Sequence, residues 1–138
     1  MKTTILGFIA LVLATVTTLL GGWDAGIVTL IIFMVIDYVT GIIVAAVFKV
    51  SDKTESGTLS SKVGWIGLCK KAVILLFVLI ACRLDLILNT NYIRDAVIIG
   101  FALNELLSII ENAGVMGIPL PKVLLNAIEV LKNKEDGS

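Results

Sequence analysis

A chain of 138 residues that is 58% hydrophobic, with a mean hydropathy of +1.05, is too apolar for a water-soluble domain of its size. Its 11 basic and 11 acidic residues cancel, so no net field draws it to nucleic acid. With no histidine, no metal-spaced cysteine cluster, no Gly-rich phosphate loop and no GxSxG, the composition points away from an enzyme and calls for neither a metal nor a cofactor.

The charges are swept out of long apolar runs and collected between them. Thr3 to Trp23 carries none, and as a helix it spans about 31 Å, close to one hydrocarbon core. Met1-Lys2 is a thin basic start and Val12-Leu13-Ala14 a weak cleavage signal; the apolar stretch runs on to Leu20, which suits a retained helix better than a cleaved signal peptide. Gly7, Ala10, Ala14, Thr17 and Gly21 recur at spacings of three and four. They form a seam of small residues along which another helix can approach closely.

The second run, Ala25 to Phe48, is interrupted by Asp37 alone, with Thr40, Gly41 and Ala45 on or beside the same helical face. A carboxylate at mid-membrane costs about 2.5–3.5 kcal/mol on insertion scales, so it normally faces a partner or water. Pore lining, proton sensing, a charge pair and simple packing glue all remain open for it. A solvated connector rich in Ser, Thr and Lys follows over residues 49–67. The third run is apolar from Ala72 to Cys82 and reaches Leu88 if Arg83 and Asp85 lie at the interface. It is long enough to span if Leu68 and Cys69 join it while Lys70 and Lys71 snorkel. Cys69 and Cys82 are then about 20 Å apart along one helix, too far for a disulfide.

The fourth run, Ala96 to Ile118, carries Asn104, Glu105, Ser108, Glu111 and Asn112 within an arc of about 120° on an otherwise apolar helix. Such a stripe lines an aqueous path, binds the neighbouring helices of its bundle, or faces water from a helix lying flat. Pro119 and Pro121 end the helix. A short amphipathic helix from Lys122 to Lys132 follows, with Val123, Leu124, Ala127, Ile128 and Leu131 on one face.

The expected fold is therefore an all-α integral membrane protein forming one domain. It has about four membrane-associated helices (about 3–23, 25–48, 68–88 and 96–118), a connector over 49–67 and a tail over 119–138. Lys49, Lys53, Lys62, Lys70 and Lys71 lie in and beside the connector, whereas the first loop has no basic residue. Counting Lys and Arg places the connector, and with four spans both termini, in the cytoplasm.

Three segments carry a resemblance. They are Asp37-Tyr38-Val39-Thr40-Gly41; Ser61 to Gly64 with Gly67, Lys70 and Lys71; and Asn104 to Asn112 followed by Gly117-Ile118-Pro119-Leu120-Pro121-Lys122. Over roughly Gly26 to Leu131 the chain is similar to the phage holin family that includes the toxin-secretion holins of Gram-positive bacteria and their phages. The resemblance implies a protein of the bacterial cytoplasmic membrane that forms a homo-oligomer in the bilayer. At a set time it permeabilises that membrane, releasing a cell-wall hydrolase (endolysin) or a toxin for host lysis. Direct contact with the endolysin is not required, and the scheme leaves room for an antiholin. On this reading Asp37, Thr40, Gly41 and the stripe from Asn104 to Asn112 are pore or subunit-contact positions. A small proton-coupled transporter and a structural membrane anchor are the alternatives, although no inverted repeat supports the transporter.

Overall fold

A computed structural model describes residues 1–136; Gly137 and Ser138, the end of the expected tail, lie outside them. The described chain is all helix and connections, with five helices: α1 (Lys2–Leu19), α2 (Ala25–Ile43), α3 (Ser61–Leu88), α4 (Ile93–Val115) and α5 (Lys122–Glu135). A π-helical stretch, Val44–Phe48, prolongs α2. Two helical segments, Lys2–Leu19 and Ala25–Phe48, are long and apolar enough to cross a membrane.

Helix α1 stands apart. No residue of it is buried, so the seam from Gly7 to Thr17 is left open among the described residues, and nothing lies within 4 Å of a β-carbon placed on Gly7. Its polar side chains are satisfied internally, because Thr15, Thr17 and Thr18 donate to the carbonyls of Leu11, Leu13 and Ala14 at 2.8, 2.7 and 2.9 Å. Such back-bonding lets hydroxyls sit on an apolar helix without unpaired donors. The helix stops at Leu19, short of the expected residue 23, because Gly21 and Gly22 take positive φ (87° and 97°). A side chain on Gly21 would also collide with Arg94, whose Nε lies 2.6 Å from the β-carbon position.

Asp24 opens α2 by accepting the Ile27 N–H at 3.0 Å. Lys49, in the left-handed conformation, ends its π-helical continuation. Ser60 then caps α3 through the Val63 N–H, so the helix begins at Ser61, seven residues ahead of the expected start at 68. The connector accordingly shrinks to 49–60. Gly64 and Gly67 belong to the helix because Tyr38 of α2 lies over them: its hydroxyl donates to the Gly64 carbonyl at 3.2 Å, and its ring edge is 3.6 Å from a β-carbon placed on Gly67. Both cysteines are free, Cys69 exposed and Cys82 buried.

Asp85, near the end of α3, accepts the N–H groups of Ile93 and Arg94 at 3.0 and 2.9 Å. One carboxylate thus satisfies the first donors of α4, a task usually left to a residue of the same helix. Helices α2 and α4 both start at this end and pack side by side in the same direction, Gly26 against Ile98 and, further along, Thr40 against Asn112. Helix α3 returns between their ends. The core is Leu20, Ile27, Leu30, Met34, Val78, Cys82, Ile98 and Ala102. Consequently the 20–24 and 89–92 turns share one end of the bundle, while the lysine-rich connector and the close of α4 share the other. Of the apolar face expected on α5, Ile128 alone is buried. This helix folds back along α4, bringing Glu135 beside Gly100.

Candidate functional site

Where α2, α3 and α4 meet, three ionic side chains converge. Lys71 Nζ donates to Asp37 Oδ2 at 2.9 Å and to Glu105 Oε2 at 2.7 Å. The three side chains are 14%, 10% and 5% exposed, so these are interior ion pairs and not surface ones. Asp37 and Glu105 each lie twelve positions into their parallel helices, about 18 Å along at 1.5 Å per residue. That equal depth lets one ammonium from the antiparallel helix reach both. A charge at such a depth is tolerable when it faces the bundle and is paired.

Asn112, two turns beyond Glu105 on α4, extends the cluster. Its side-chain amide donates to the Asp37 carbonyl, to Asp37 Oδ1 and to Thr40 Oγ1 at 3.3, 3.2 and 2.8 Å. Thr40 also donates to Ile36 O. Gly41 lies beside these groups: a β-carbon there would sit in ordinary contact, 3.9 Å from Asn112 Nδ2 and 3.8 Å from Lys53 Nζ. Replacing Asn112 with leucine should remove all three donor contacts and cost about 1–2 kcal/mol. A melt of the detergent-solubilised protein measures this, and an unchanged melting temperature would mean the amide is not engaged.

The polar stripe of α4 is thereby divided. Glu105 and Asn112, two turns apart on one face, point into the bundle; Ser108 between them is half-buried and lines the adjoining cavity. Asn104 and Glu111 are exposed. Among the lysines, Lys49, Lys53, Lys62 and Lys70 are exposed. Lys71, expected to snorkel outward, turns inward instead, because two carboxylates offer it stronger partners than the interface does. A cavity of about 560 Å³ runs from the connector, at Ser51 and Thr54, down to Asp37, Lys71 and Glu105.

A second polar knot closes the opposite end. Arg94, 8% exposed, donates through Nε to Leu20 O at 2.6 Å, through Nη1 to Asp24 Oδ2 at 2.6 Å and through Nη2 to Gly22 O at 3.1 Å. Hydrogen bonding from this guanidinium, helped by the Ile27 N–H, holds the Asp24 carboxyl below its ordinary pKa. Asp95, the neighbour of Arg94 in sequence, lies farther off at 3.8 Å. Sequence reasoning passed over Asp24, whose place just after two glycines and before an apolar run is the signal of an N-cap. No group of His, Cys, Asp and Glu among the described residues has the geometry to hold a metal ion.

The model of the bacteriophage holin family matches residues 14–133. An uncharacterized protein of Halalkalibacterium halodurans is 38% identical over 132 residues, covering 91% of this chain and 92% of that protein. An uncharacterized 14.9 kDa protein of Clostridium perfringens is 35% identical over 121 residues, covering 86% of each. A probable holin of Bacillus phage phi105 is 30% identical over 108 residues, covering 78% of this chain and 74% of the phage protein. No solved structure matches the chain significantly. The family is not one of enzymes, and its setting is the cytoplasmic membrane. On the strength of the match over nearly its whole length, the chain belongs to the bacteriophage holin family.

Proposed function

We propose that this protein is a holin that accumulates as a four-span protomer, oligomerises, and permeabilises the bacterial cytoplasmic membrane at a timed point. The opening releases an endolysin, or in some hosts a toxin. Both termini and the connector face the cytoplasm in this scheme, supported by the lysines gathered at the connector end; α5 then has to leave its place along α4, where Glu135 lies beside Gly100 near the opposite end of the bundle. The observation that carries the reading is that Asp37 and Lys71 engage the inner half of the α4 stripe inside the protomer. A holin must sit harmlessly in lipid and later present polar groups to water. Glu105 and Asn112 are paired in the first condition and available for the second, once α4 turns or separates from α2. The unpartnered small-residue face of α1 (Gly7, Ala10, Ala14, Thr17) then offers a subunit contact of the kind that drives helix association in bilayers.

Asp37→Asn and Glu105→Gln each weaken the hold of Lys71 and should shift the onset of lysis after induction. Glu111→Gln, on the exposed side of α4, should shift it less. Lysis on schedule in all three variants, with unchanged assembly, would remove the stripe from the mechanism. The cavity reaching Asp37 and Glu105 is also what a proton-coupled transporter would need. Liposomes holding a large fluorescent dye separate the readings: a holin empties them, a transporter does not.

A further inference from the structure

The cavity beside the connector combines features that the ion cluster does not require. Lys53 and Lys70 line it and are exposed, and neither forms an ion pair among the described residues. The Lys53 ammonium hangs over Gly41, 3.8 Å from the position a β-carbon would take. Thr54 also lines the cavity, and its hydroxyl oxygen is buried without a hydrogen-bond partner. Buried polar atoms are normally bonded, so such an orphan marks a missing partner. Counting the floor, three lysines stand against two carboxylates, and Lys71 is committed to both of them. The ion cluster alone keeps one negative charge, so the lining as a whole is positive by one charge, with Lys53 and Lys70 the ammonium groups outside the cluster.

The surroundings of these groups are apolar. A shallow hollow between α2 and α3 adjoins the cavity and shares Tyr38, Ile42, Leu59, Ser60 and Gly64 with it; Ser61, Trp65 and Leu68 line it as well, so its wall is mostly apolar with two serines at one edge. Trp65 is 67% exposed, and an exposed tryptophan on a membrane helix belongs at the headgroup level. A basic, hydroxyl-bearing cavity at that level, opening onto an apolar trough, matches an amphiphile with an anionic head. Basic pockets between membrane helices on the cytoplasmic side take such lipid headgroups.

We propose that this cavity seats an anionic phospholipid. Lys53, Lys70 and the Thr54 hydroxyl meet its phosphate, and one acyl chain lies along Ile42 and Trp65. The bound lipid would brace the connector against α2 and α3 beside the ion cluster. The inference rests on the membrane residence of the proposed holin and not on its timed action, so the two fail separately.

The test uses the full chain purified in a neutral detergent, with lipid retention read by native mass spectrometry. Phosphatidylglycerol should be retained and phosphatidylcholine lost, and millimolar inorganic phosphate should not displace the lipid. The Lys53→Gln, Lys70→Gln double variant should retain about tenfold less phosphatidylglycerol. A charge-matched Lys49→Gln, Lys62→Gln variant, altered outside the cavity, should behave as the parent, and circular dichroism checks that both variants keep their helix content. Equal retention of the two lipids, or an equal loss in the two double variants, overturns the proposal. Displacement by inorganic phosphate overturns it in favour of a free phosphate ligand.

Discussion

Lys71→Met is expected to destabilise the protomer by about 3–5 kcal/mol, the range for removing one partner from a buried ion pair. Methionine is unbranched, one atom shorter than lysine and of similar helix propensity, so the change acts mainly through the charge. It leaves Asp37 and Glu105, 10% and 5% exposed, facing the same space with no cation between them. Burying an uncompensated carboxylate costs far more than the pair contributes when intact, which sets the size of the effect. The counter-experiment is the triple variant Asp37→Asn, Lys71→Met, Glu105→Gln. It removes all three charges and should recover most of the loss, because polar but neutral groups need less compensation. Thermal unfolding in detergent micelles reads both. A single variant as stable as the parent would show that the ammonium does not hold these helices, and a triple variant as damaged as the single would assign the loss to packing.

The local chemistry of this cluster was legible, but its pairing was not. Asp37 announces itself as a lone carboxylate in an apolar run, and the spacing of Glu105, Ser108 and Asn112 places them on one side of a helix. Lys71 belongs to a Lys-Lys step ahead of an apolar stretch, which by itself reads as an interfacial anchor. Neighbouring residues on a helix point about 100° apart, so Lys70 can face outward while Lys71 faces in, and only the packing of α3 against the other two helices decides which. The same 100° separates Glu111 from Asn112 and divides a stripe that looks continuous along the sequence. The early start of α3 was hidden for another reason. Gly64 and Gly67 weaken a helix by about 1 kcal/mol each on intrinsic propensity, yet they are what lets Tyr38 come down on the backbone. Helix α1 is the reverse case, since its seam is plain in the sequence but from Gly7 to Thr17 no described residue buries it.

Arg94→Lys should be nearly as harmful as Arg94→Met, with a cost of about 3 kcal/mol from a charged group buried with several acceptors. The guanidinium serves three partners from one rigid plane: the Leu20 carbonyl, the Gly22 carbonyl and the Asp24 carboxylate. A lysine ammonium is a single point of charge on a flexible stem and cannot match that fork. Loss of the fork frees the turn joining α1 to α2 while the ion cluster stays whole, so the damage should be local. Hydrogen exchange should rise over residues 20–27 and not around Asn112. Acid should imitate part of this effect. Asp24 has its pKa lowered by Arg94 and the Ile27 N–H, so its stabilising contribution is present in full above the ordinary aspartate value, near pH 4, and is lost as pH falls through the depressed one. The side chain is 52% exposed, which keeps the effect small beside that of Arg94. Melting curves from pH 7 to pH 3 should therefore fall more steeply for the parent than for Asp24→Asn, which starts without the charge. Parallel curves would mean that Arg94 is held by the two carbonyls alone, and the arginine would then be a clamp for the glycine turn and not an ion-pair partner.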